Sequence, residues 1–313
     1  MILVIGASGF IGSVLVRHLL DAGKKVRVLV RSSSANFQLQ AGKSIDIVVG
    51  EISDPRKLEI AMDGVRVVYH LIGGEWKGVR ADLMEIEIAN IQHVISAAKD
   101  ENIDRIFYLS HFGANRASAY TVLKVKGIVE ELIKRSGINY TIIRSGLVFG
   151  PNDNFTVGLA KLISMAPYFV PLPGDGNQIV QPIWIEDLAT CLTWALDMDE
   201  LKDQTISIGG PEFLSIKNVF ELVIESTKMK KRFFYLQASM IRFAAIFVEY
   251  FLPKLPHSIY WLDYLASSRT SEFDSVSRIF GLLPERIGLH MNHLKGINWR
   301  REVMKDIFYR KNR

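Results

Sequence analysis

Apolar and polar positions alternate with two different periods through the first half of the chain. Short apolar runs, typical of buried strands, lie at residues 2–5, 25–31, 45–50, 65–73, 105–110 and 140–146. Between them, apolar residues return every three or four positions, as in 11–23, 84–100 and 122–137, which predicts amphipathic helices. This alternation predicts an α/β protein with a Rossmann-type, doubly wound parallel sheet.

The pattern loosens after residue 153. Residues 167–176, PYFVPLPGDG, are rich in proline and glycine and predict a loop that faces a substrate. A short strand and a helix return in 179–197, a last strand follows at 205–209, and the remainder is predicted to be mainly helical. We therefore expect a dinucleotide-binding core over 1–150, rejoined by 179–210. Residues 151–178 and 211–313 would form a small, mainly helical C-terminal lobe that faces a substrate or partner.

Composition and charge narrow the class of protein. The 313 residues are 49% hydrophobic and 23% charged, enough for one large core or two modest ones. The net charge is +5, and the basic residues are spread out except in 228–232 and 300–313. Solvated surface is the favoured interpretation of these clusters, and contact with acidic lipid or nucleic acid is the alternative. No nucleic-acid partner and no metal site are expected.

The single cysteine, Cys191, excludes a disulfide within the chain. It lies in an apolar helical stretch, so we expect a buried side chain rather than a nucleophile. A reducing, cytoplasmic setting fits this usage, and the N-terminal apolar run reads as a strand rather than a signal peptide.

One segment, 238–262, is apolar enough to pack against another part of the protein, a second copy or a bilayer. Its first apolar run is about 15 residues long and contains Arg242 and Glu249, short of the roughly 20 residues that a membrane span requires. We expect a helix packed over a substrate pocket or against a second copy, in a monomer or homodimer. The alternative is an amphipathic helix on a bilayer, at the inner face of the membrane.

The first strand ends in a glycine-rich turn, MILVIGASGFIG, that opens the first helix. Such a turn offers free backbone amides and the positive end of a helix dipole, and both suit a pyrophosphate. Gly6 would permit the tight turn, Gly9 the approach of the phosphates, and Gly12 the packing of the helix on the strand. The predicted contacts to a dinucleotide here are Gly6, Ser8, Gly9, Phe10, Ile11 and Gly12.

The glycine spacing resembles the extended and atypical branches of the short-chain dehydrogenase/reductase superfamily. Further similar segments are VVGEISD, HLIGG, IIRSGLVFGPND and QPIWIEDLA, so the resemblance covers about residues 1–210. Within the superfamily, the HFGAN turn and the helical C-terminal part look most like NmrA-type proteins and the complex I accessory subunit that carries this fold. The resemblance implies adenine contacts from Glu51 and Ile52, with Asp54 completing that motif. It also implies that Leu71, Ile72 and Gly73 pass the nicotinamide ribose.

The end of the second strand bears on which dinucleotide is bound. An acidic residue there would suit a free 2′-hydroxyl, but this chain has Arg31, followed by Ser32, Ser33 and Ser34. A guanidinium and hydroxyls suit a 2′-phosphate, so NADP(H) is favoured over NAD(H). The alternative for Arg31 is an exposed surface charge.

Catalysis is a separate question from binding. The superfamily's Tyr-x-x-x-Lys pair resembles Tyr120 and Lys124, which we expect on one helical face. Lys124 would lower the pKa of Tyr120 and hold the ribose hydroxyls, and the phenol would exchange a proton as hydride moves. Ser110 is the candidate hydroxyl donor, although His111 and Phe112 follow where the family's polarising Ser or Thr would stand. Either Ser110 or His111 would orient a carbonyl, or Ser110 only caps the strand and His111 only packs near the cofactor.

Three hypotheses about function follow. The first is an NADP(H)-dependent oxidoreductase acting on an unidentified small, rather apolar molecule. The second is a non-catalytic accessory or sensor subunit stabilised by a bound dinucleotide. The third, a nucleotide-sugar epimerase or dehydratase, is weakened by the absent serine run and the short connection to Tyr120. Glu87, where many extended members carry an Asn, is a further departure from the family pattern.

Overall fold

A computed structural model describes residues 1–32, 45–73, 82–237, 239–243, 246 and 266–309. The chain divides into two compact units. The first comprises Met1–Gly74, Leu83–Ser145 and Ile185–Ile208, and the second comprises Glu75–Asp82, Gly146–Trp184 and Gly209–Arg313. Among the described residues, the sequence-based division placed 82, 146–150, 179–184, 209 and 210 with the first unit, whereas the contacts place them in the second.

The first unit is built on a parallel seven-stranded sheet. Its strands are β1 (Ile2–Ile5), β2 (Val26–Val30), β3 (Asp46–Val49), β4 (Val67–His70), β5 (Arg105–His111), β6 (Asn139–Ser145) and β11 (Gln204–Ile208). The order across the sheet is β11-β6-β5-β4-β1-β2-β3, and every pairing is parallel. The order reverses between β1 and β4, and the carboxyl edge at such a reversal is where doubly wound sheets bind ligands.

Five helices belong to this sheet. They are α1 (Phe10–Asp21), α2 (Pro55–Met62), α3 (Leu83–Asp100), α4 (Thr121–Lys134) and α6 (Ile185–Trp194). Helix α1 packs with α6, and α3 packs with α4. On the α6 side, Tyr69 stacks on Phe107 at 4.4 Å between ring centroids and donates a hydrogen bond to the Leu192 carbonyl. The predicted Rossmann-type fold is confirmed, and Cys191 is buried in α6 as predicted.

The second unit carries short strand pairs and helices. Its elements are β7 (Val148–Phe149), α5 (Thr156–Met165), β8 (Phe169–Pro173), β9 (Ile179–Val180), β10 (Ile183–Trp184), β12 (Leu214–Ser215), α7 (Ile216–Thr227), β13 (Arg232–Leu236), α8 (Ser275–Phe280), a 3-10 helix (Ile287–Leu294) and α9 (Trp299–Tyr309). Strands β10 and β7 pair in parallel, as do β13 and β8, while β12 and β9 are antiparallel.

One local prediction for this unit was wrong. The segment 167–176 is not only a loop, because β8 lies inside it and pairs with β13, in a stretch predicted to be helical. Hydrogen bonding to a distant strand overrode the proline content, which is tolerated on a sheet edge. Of the segment 238–262, residues 239–243 and 246 are helical and the others lie outside the described residues. Among the described residues, no helix is both long and apolar enough to cross a bilayer.

Candidate functional site

The glycine turn after β1 is shaped by backbone contacts that exclude side chains. Gly6 has a φ of +94°, a conformation that L-residues rarely adopt. A Cβ added to Gly6 would lie 3.1 Å from the Leu71 carbonyl carbon, and one added to Gly12 would lie 2.1 Å from the Gly6 oxygen. These glycines therefore bring α1, β1 and the chain after β4 closer together than other residues would allow.

The amino end of α1 is open to a ligand. Gly9 is its N-cap, and no side chain caps the helix. The first-turn amides of an α-helix have no partner within the helix, and they carry the positive end of its dipole. A Cβ added to Gly9 would meet only the Gly6 oxygen, at 3.2 Å, and would otherwise project into open space. The residues therefore fit the diphosphate of a dinucleotide.

The other predicted cofactor residues lie at the carboxyl ends of their strands. Arg31 and Ser32 follow β2 and are exposed, whereas Ser33 and Ser34 lie outside the described residues. Glu51 is exposed after β3, beside the half-buried Ile52. Around the glycine turn itself, Ser8 is exposed, and Phe10 and Ile11 are half-buried at the start of α1. Which of these residues touch a cofactor stays a prediction.

Asp54 caps helix α2. Its side chain accepts hydrogen bonds from the backbone amides of Arg56 and Lys57, at 3.0 and 3.3 Å. An aspartate before a proline at the first helical turn is a common helix start. The expectation that Asp54 completes the adenine motif stays a prediction.

The segment after β4 lies directly against the glycine turn. Leu71 donates its amide to the Ile5 carbonyl at 3.0 Å, which continues the sheet for one residue. Leu71 and Ile72 are half-buried and Gly73 is exposed. This segment borders the switch point of the sheet, as a residue passing a nicotinamide ribose would.

A group of charged side chains is buried between the sheet and helices α3 and α4. We define this charge cluster as Glu87, Ser110, Lys126, Glu130 and Arg144. The Lys126 ammonium lies 3.6 Å from the Glu87 carboxylate, and both side chains are less than 5% exposed. Burying a charge at this depth is costly unless an opposite charge compensates it. Each cation of the charge cluster faces one carboxylate.

Ser110 belongs to this cluster. Its hydroxyl donates a 2.6 Å hydrogen bond to buried Glu130, which also accepts two hydrogen bonds from the Arg144 guanidinium at 2.6 and 2.9 Å. The bond to Glu130 raises the pKa of Arg144, so the guanidinium stays charged. In this arrangement the Ser110 proton is directed toward helix α4. Its predicted role as a donor to a substrate carbonyl stays a prediction.

Tyr120 and Lys124 lie one turn apart at the start of α4, and their action as a catalytic pair stays a prediction. Tyr120 is the extended N-cap residue before α4, and Lys124 lies on the exposed side of that helix. The inner side carries Lys126, because it falls in the buried stripe with Val122, Val129 and Ile133. The apolar spacing of 122, 125, 129 and 133 was the sequence signal that could have identified Lys126 as the inward lysine.

His70, at the end of β4, lies near Lys126 of the charge cluster. Its ring stacks on Tyr108 at 5.8 Å, and the Lys126 ammonium lies 5.3 Å from the centre of the Tyr108 ring. Burial, with a smaller contribution from the positive charge of Lys126, lowers the pKa of His70 to about 3. The imidazole is therefore neutral at physiological pH, and its Nδ1 atom has no hydrogen-bond partner among the described residues.

The PND run after β6 also has a structural role. Asp153 is buried and accepts hydrogen bonds from the Gly150 and Val157 amides and from the Thr156 hydroxyl, at 2.7 to 2.9 Å. Burial raises the pKa of this carboxyl, and the three hydrogen bonds oppose the shift. His293 Nε2 lies 2.9 Å from the same Thr156 hydroxyl and joins α5 to the 3-10 helix.

Comparison with known proteins identifies the family. The sequence profile of the NmrA-like family matches residues 1–278. The chain belongs to the NmrA-like family. It is 33% identical over 144 residues to photosystem II assembly factor Ycf39 of Cyanophora paradoxa, a match that covers 46% of this chain and 44% of the relative. The predicted resemblance to NmrA-like, atypical short-chain dehydrogenases is thereby confirmed.

Two further relatives differ from each other in kind. Subunit 9 of the NADH dehydrogenase 1 alpha subcomplex of Arabidopsis thaliana is 26% identical over 81% of this chain and 64% of its own length. An NAD(P)H azoreductase of Xenophilus azovorans is 26% identical over 69% of this chain and 70% of its own. The chain thus spans less than two thirds of both the Ycf39 and the subunit 9 relatives.

Solved structures agree on the fold. A Citrobacter triphenylmethane reductase in complex with NADP(H) superposes with a TM-score of 0.73 at 18% identity, over 94% of this chain and 98% of that one. A nucleoside-diphosphate-sugar epimerase of Staphylococcus aureus gives 0.72 at 14% identity, over 93% and 99%. At such identities the similarity shows the fold alone, and reductases and epimerases share it.

Proposed function

We propose that this protein is an NAD(P)(H)-binding oxidoreductase of the atypical short-chain class, acting on a small, rather apolar substrate. The observation that carries the proposal is the uncapped amino end of α1, where Gly9 leaves open space beside free amides at the sheet's switch point. The azoreductase among its relatives supports a reductase. The reaction would take place in the cytoplasm.

Within this proposal, Lys126 replaces Lys124 as the lysine that holds the cofactor's ribose. Lys126 lies inside, four residues before Glu130 on α4, and its ammonium is 3.6 Å from the Glu87 carboxylate. A bound nicotinamide would supply the hydride, and Tyr120 remains the predicted proton donor. Because Val122 stands four residues before Lys126, this second lysine has no tyrosine at the family spacing.

NADP(H) is the proposed cofactor in preference to NAD(H). Arg31 is exposed at the end of β2, next to the Ser32 hydroxyl. A guanidinium can pair with a 2′-phosphate, whereas the free 2′-hydroxyl of NAD(H) gains little from it. Arg31→Asp should therefore weaken NADPH binding by at least tenfold and leave NADH binding nearly unchanged. Equal losses for both dinucleotides would contradict the preference.

A second candidate function is a non-catalytic accessory or sensor subunit. The observation that favours it is the hydrogen bond of Ser110 to buried Glu130, which directs the expected hydroxyl donor into the protein. The similarity to a complex I subunit and to a photosystem assembly factor supports a role in an assembly. In this case the dinucleotide would stabilise the first unit and no substrate would be turned over.

Calorimetry with NADPH, NADH, NADP⁺ and NAD⁺ tests the shared core of both candidates. We expect binding of at least one of them, abolished by Gly9→Ala because the added methyl group occupies the space beside the amides. Gly288→Ala is the control for the glycine change, since its Cβ would meet nothing within 4 Å and it lies in the second unit. If none of the four dinucleotides binds, both candidate functions are wrong.

Turnover separates the two candidates. Oxidation of the bound reduced cofactor by added quinones, azo dyes or aldehydes, followed at 340 nm, should be lost in Lys126→Met and retained in Lys124→Met. Tyr120→Phe should lower the same rate if the phenol donates the proton. Binding without turnover of any acceptor class would favour the accessory subunit. If turnover were lost in Lys124→Met instead, Lys124 would be the lysine that holds the ribose, as the sequence predicted.

A further inference from the structure

In the parallel pair β8 and β13 of the second unit, one face is buried along β8, whereas on β13 Tyr235 of that face is 54% exposed. Phe233 packs edge-on against Phe220 of α7 at 6.3 Å, and its partner Val170 is fully buried. Residues alternate between the faces of a strand, so the neighbours of these two residues point the other way. The open face is formed by Phe169, Pro171 and Pro173 of β8 and by Arg232, Phe234 and Leu236 of β13.

The open face is apolar and is continued by further exposed apolar side chains. Phe169 is 55% exposed, and Tyr168, just before β8, is 74% exposed. Among the helical residues after β13, Met240 and Phe243 are also largely exposed and stand three residues apart on one stripe. Exposed apolar side chains that form one surface mark an interaction site.

Cations with no partner border this face. Lys228, Lys230 and Arg232 are exposed, and none of them forms an ion pair within the part of the chain that the structure describes. Lys231, between them, donates to the carbonyls of Ala166 and Pro167, and so ties this basic run to the turn before Tyr168. We call the open face together with Lys228 and Lys230 the β8–β13 patch.

Several other cations of the same unit are neutralised. Four of them pair with carboxylates: Lys161 with Asp306, Lys217 with Glu221, Arg278 with Glu272 and Lys305 with Glu302. Others, such as Lys295 and Arg301, form no ion pair among the described residues either. The patch is distinguished because its three exposed cations stand within five residues of one another and adjoin the exposed aromatic residues of β13 in the sequence. A complementary partner presents negative charge beside an apolar layer.

We propose that the β8–β13 patch docks on an anionic lipid bilayer. Aromatic and methionine side chains insert at the level of the headgroups, where tyrosine keeps its hydroxyl in water, and lysine or arginine lies against lipid phosphates. Each such cation near an anionic surface strengthens binding several-fold, and a few together suffice for reversible attachment. The patch thus holds the protein on a membrane surface without a spanning helix.

Flotation of the full chain with vesicles tests the proposal. We expect binding to phosphatidylcholine vesicles that contain phosphatidylglycerol, weak binding to phosphatidylcholine alone, and a fall in binding as salt is added. Changing Lys228, Lys230 and Arg232 to Gln should weaken binding on the order of a hundredfold. Phe169→Ser with Phe234→Ser should weaken binding at high salt more than at low salt.

The control removes the same charge from cations that are paired. Changing Lys217, Arg278 and Lys305 to Gln should leave vesicle binding within about twofold of the native protein. Dinucleotide affinity should be unchanged in both triple variants. Equal losses in the two triple variants, or equal binding to neutral and anionic vesicles, would overturn the proposal. So would a dimer without vesicle binding that the two serine changes dissociate, because the patch would then be an interface between copies.

Discussion

The charge cluster of the first unit and the β8–β13 patch of the second treat charge in opposite ways. In the charge cluster, Glu87 and Lys126 are almost completely buried and face each other at 3.6 Å. In the patch, Lys230 and Arg232 are exposed and have no carboxylate partner within the described residues. A buried charge demands a partner from its own chain, whereas an exposed one is hydrated and remains available to another surface.

Helix α4 shows the same contrast within three residues. Lys124 and Lys126 differ by two positions, which places them on opposite sides of a helix, one toward solvent and one toward the sheet. The chemistry of the side chains is identical, and only the environment differs. When two lysines stand near a family-like motif, the side of the helix on which each lies is therefore a better guide to its role than its spacing from the tyrosine.

The largest expected effect comes from breaking the buried pair. Lys126→Met leaves the Glu87 carboxylate buried without its cation, so the free energy of unfolding should fall by about 3–5 kcal/mol. Urea denaturation followed by circular dichroism measures the change. The double variant Glu87→Gln/Lys126→Met should recover most of the loss. A single variant within about 1 kcal/mol of the native protein would show that the pair is solvated.

Removing the hydroxyl of the cluster should cost less. Ser110→Ala deletes a 2.6 Å hydrogen bond to Glu130, the ion-pair partner of Arg144, worth about 1.5–3 kcal/mol of unfolding free energy. Ser164→Ala, whose hydroxyl donates to the neutral Lys161 carbonyl at 2.7 Å, is the matched control and should cost about 1 kcal/mol. Equal losses would mean that the charge on Glu130 adds nothing. A loss of turnover beyond that of Ser164→Ala would support the predicted carbonyl donor.

His70, beside the charge cluster, should make the free energy of unfolding depend on pH. Its pKa is about 3 in the folded protein and near 6.5 in the unfolded chain, so below pH 6.5 protons bind the unfolded state first. Stability is therefore highest above pH 6.5 and is lost as the pH falls toward 3, by up to about 1.4 kcal/mol per pH unit. His70→Asn should flatten this dependence in urea titrations between pH 7 and 4. Identical slopes would show that the imidazole is reached by water.

The smallest expected effect is at the exposed lysines. Lys124→Met and Lys230→Met should each change the free energy of unfolding by less than about 0.5 kcal/mol, because neither side chain has a buried partner to lose. Compared with Lys126→Met, these two variants show how much of its loss in unfolding free energy comes from burial of the lysine. A loss above 1 kcal/mol in Lys124→Met would mean that its side chain makes a contact in solution that supports α4.

The architecture of the first unit could be predicted from the sequence alone. Apolar runs separated by helical periods, with the glycine turn after the first of them, fit only a few folds because parallel strands need crossover helices. The same local patterns predicted the open helix terminus at Gly9 and the burial of Cys191. These features depend on backbone conformation and apolar periodicity, which neighbouring residues specify.

The pairing of buried polar groups could be read only from the folded structure. The pairings of Glu87 with Lys126, and of Ser110 with Glu130 and Arg144, join residues from α3, α4, β5 and β6, and no local pattern records such partners. The strand β8 likewise formed from a proline-rich stretch because β13, about 60 residues later, offers its hydrogen bonds. Contacts between distant segments depend on the packed three-dimensional arrangement, so charge partners and edge strands become visible only in the folded molecule.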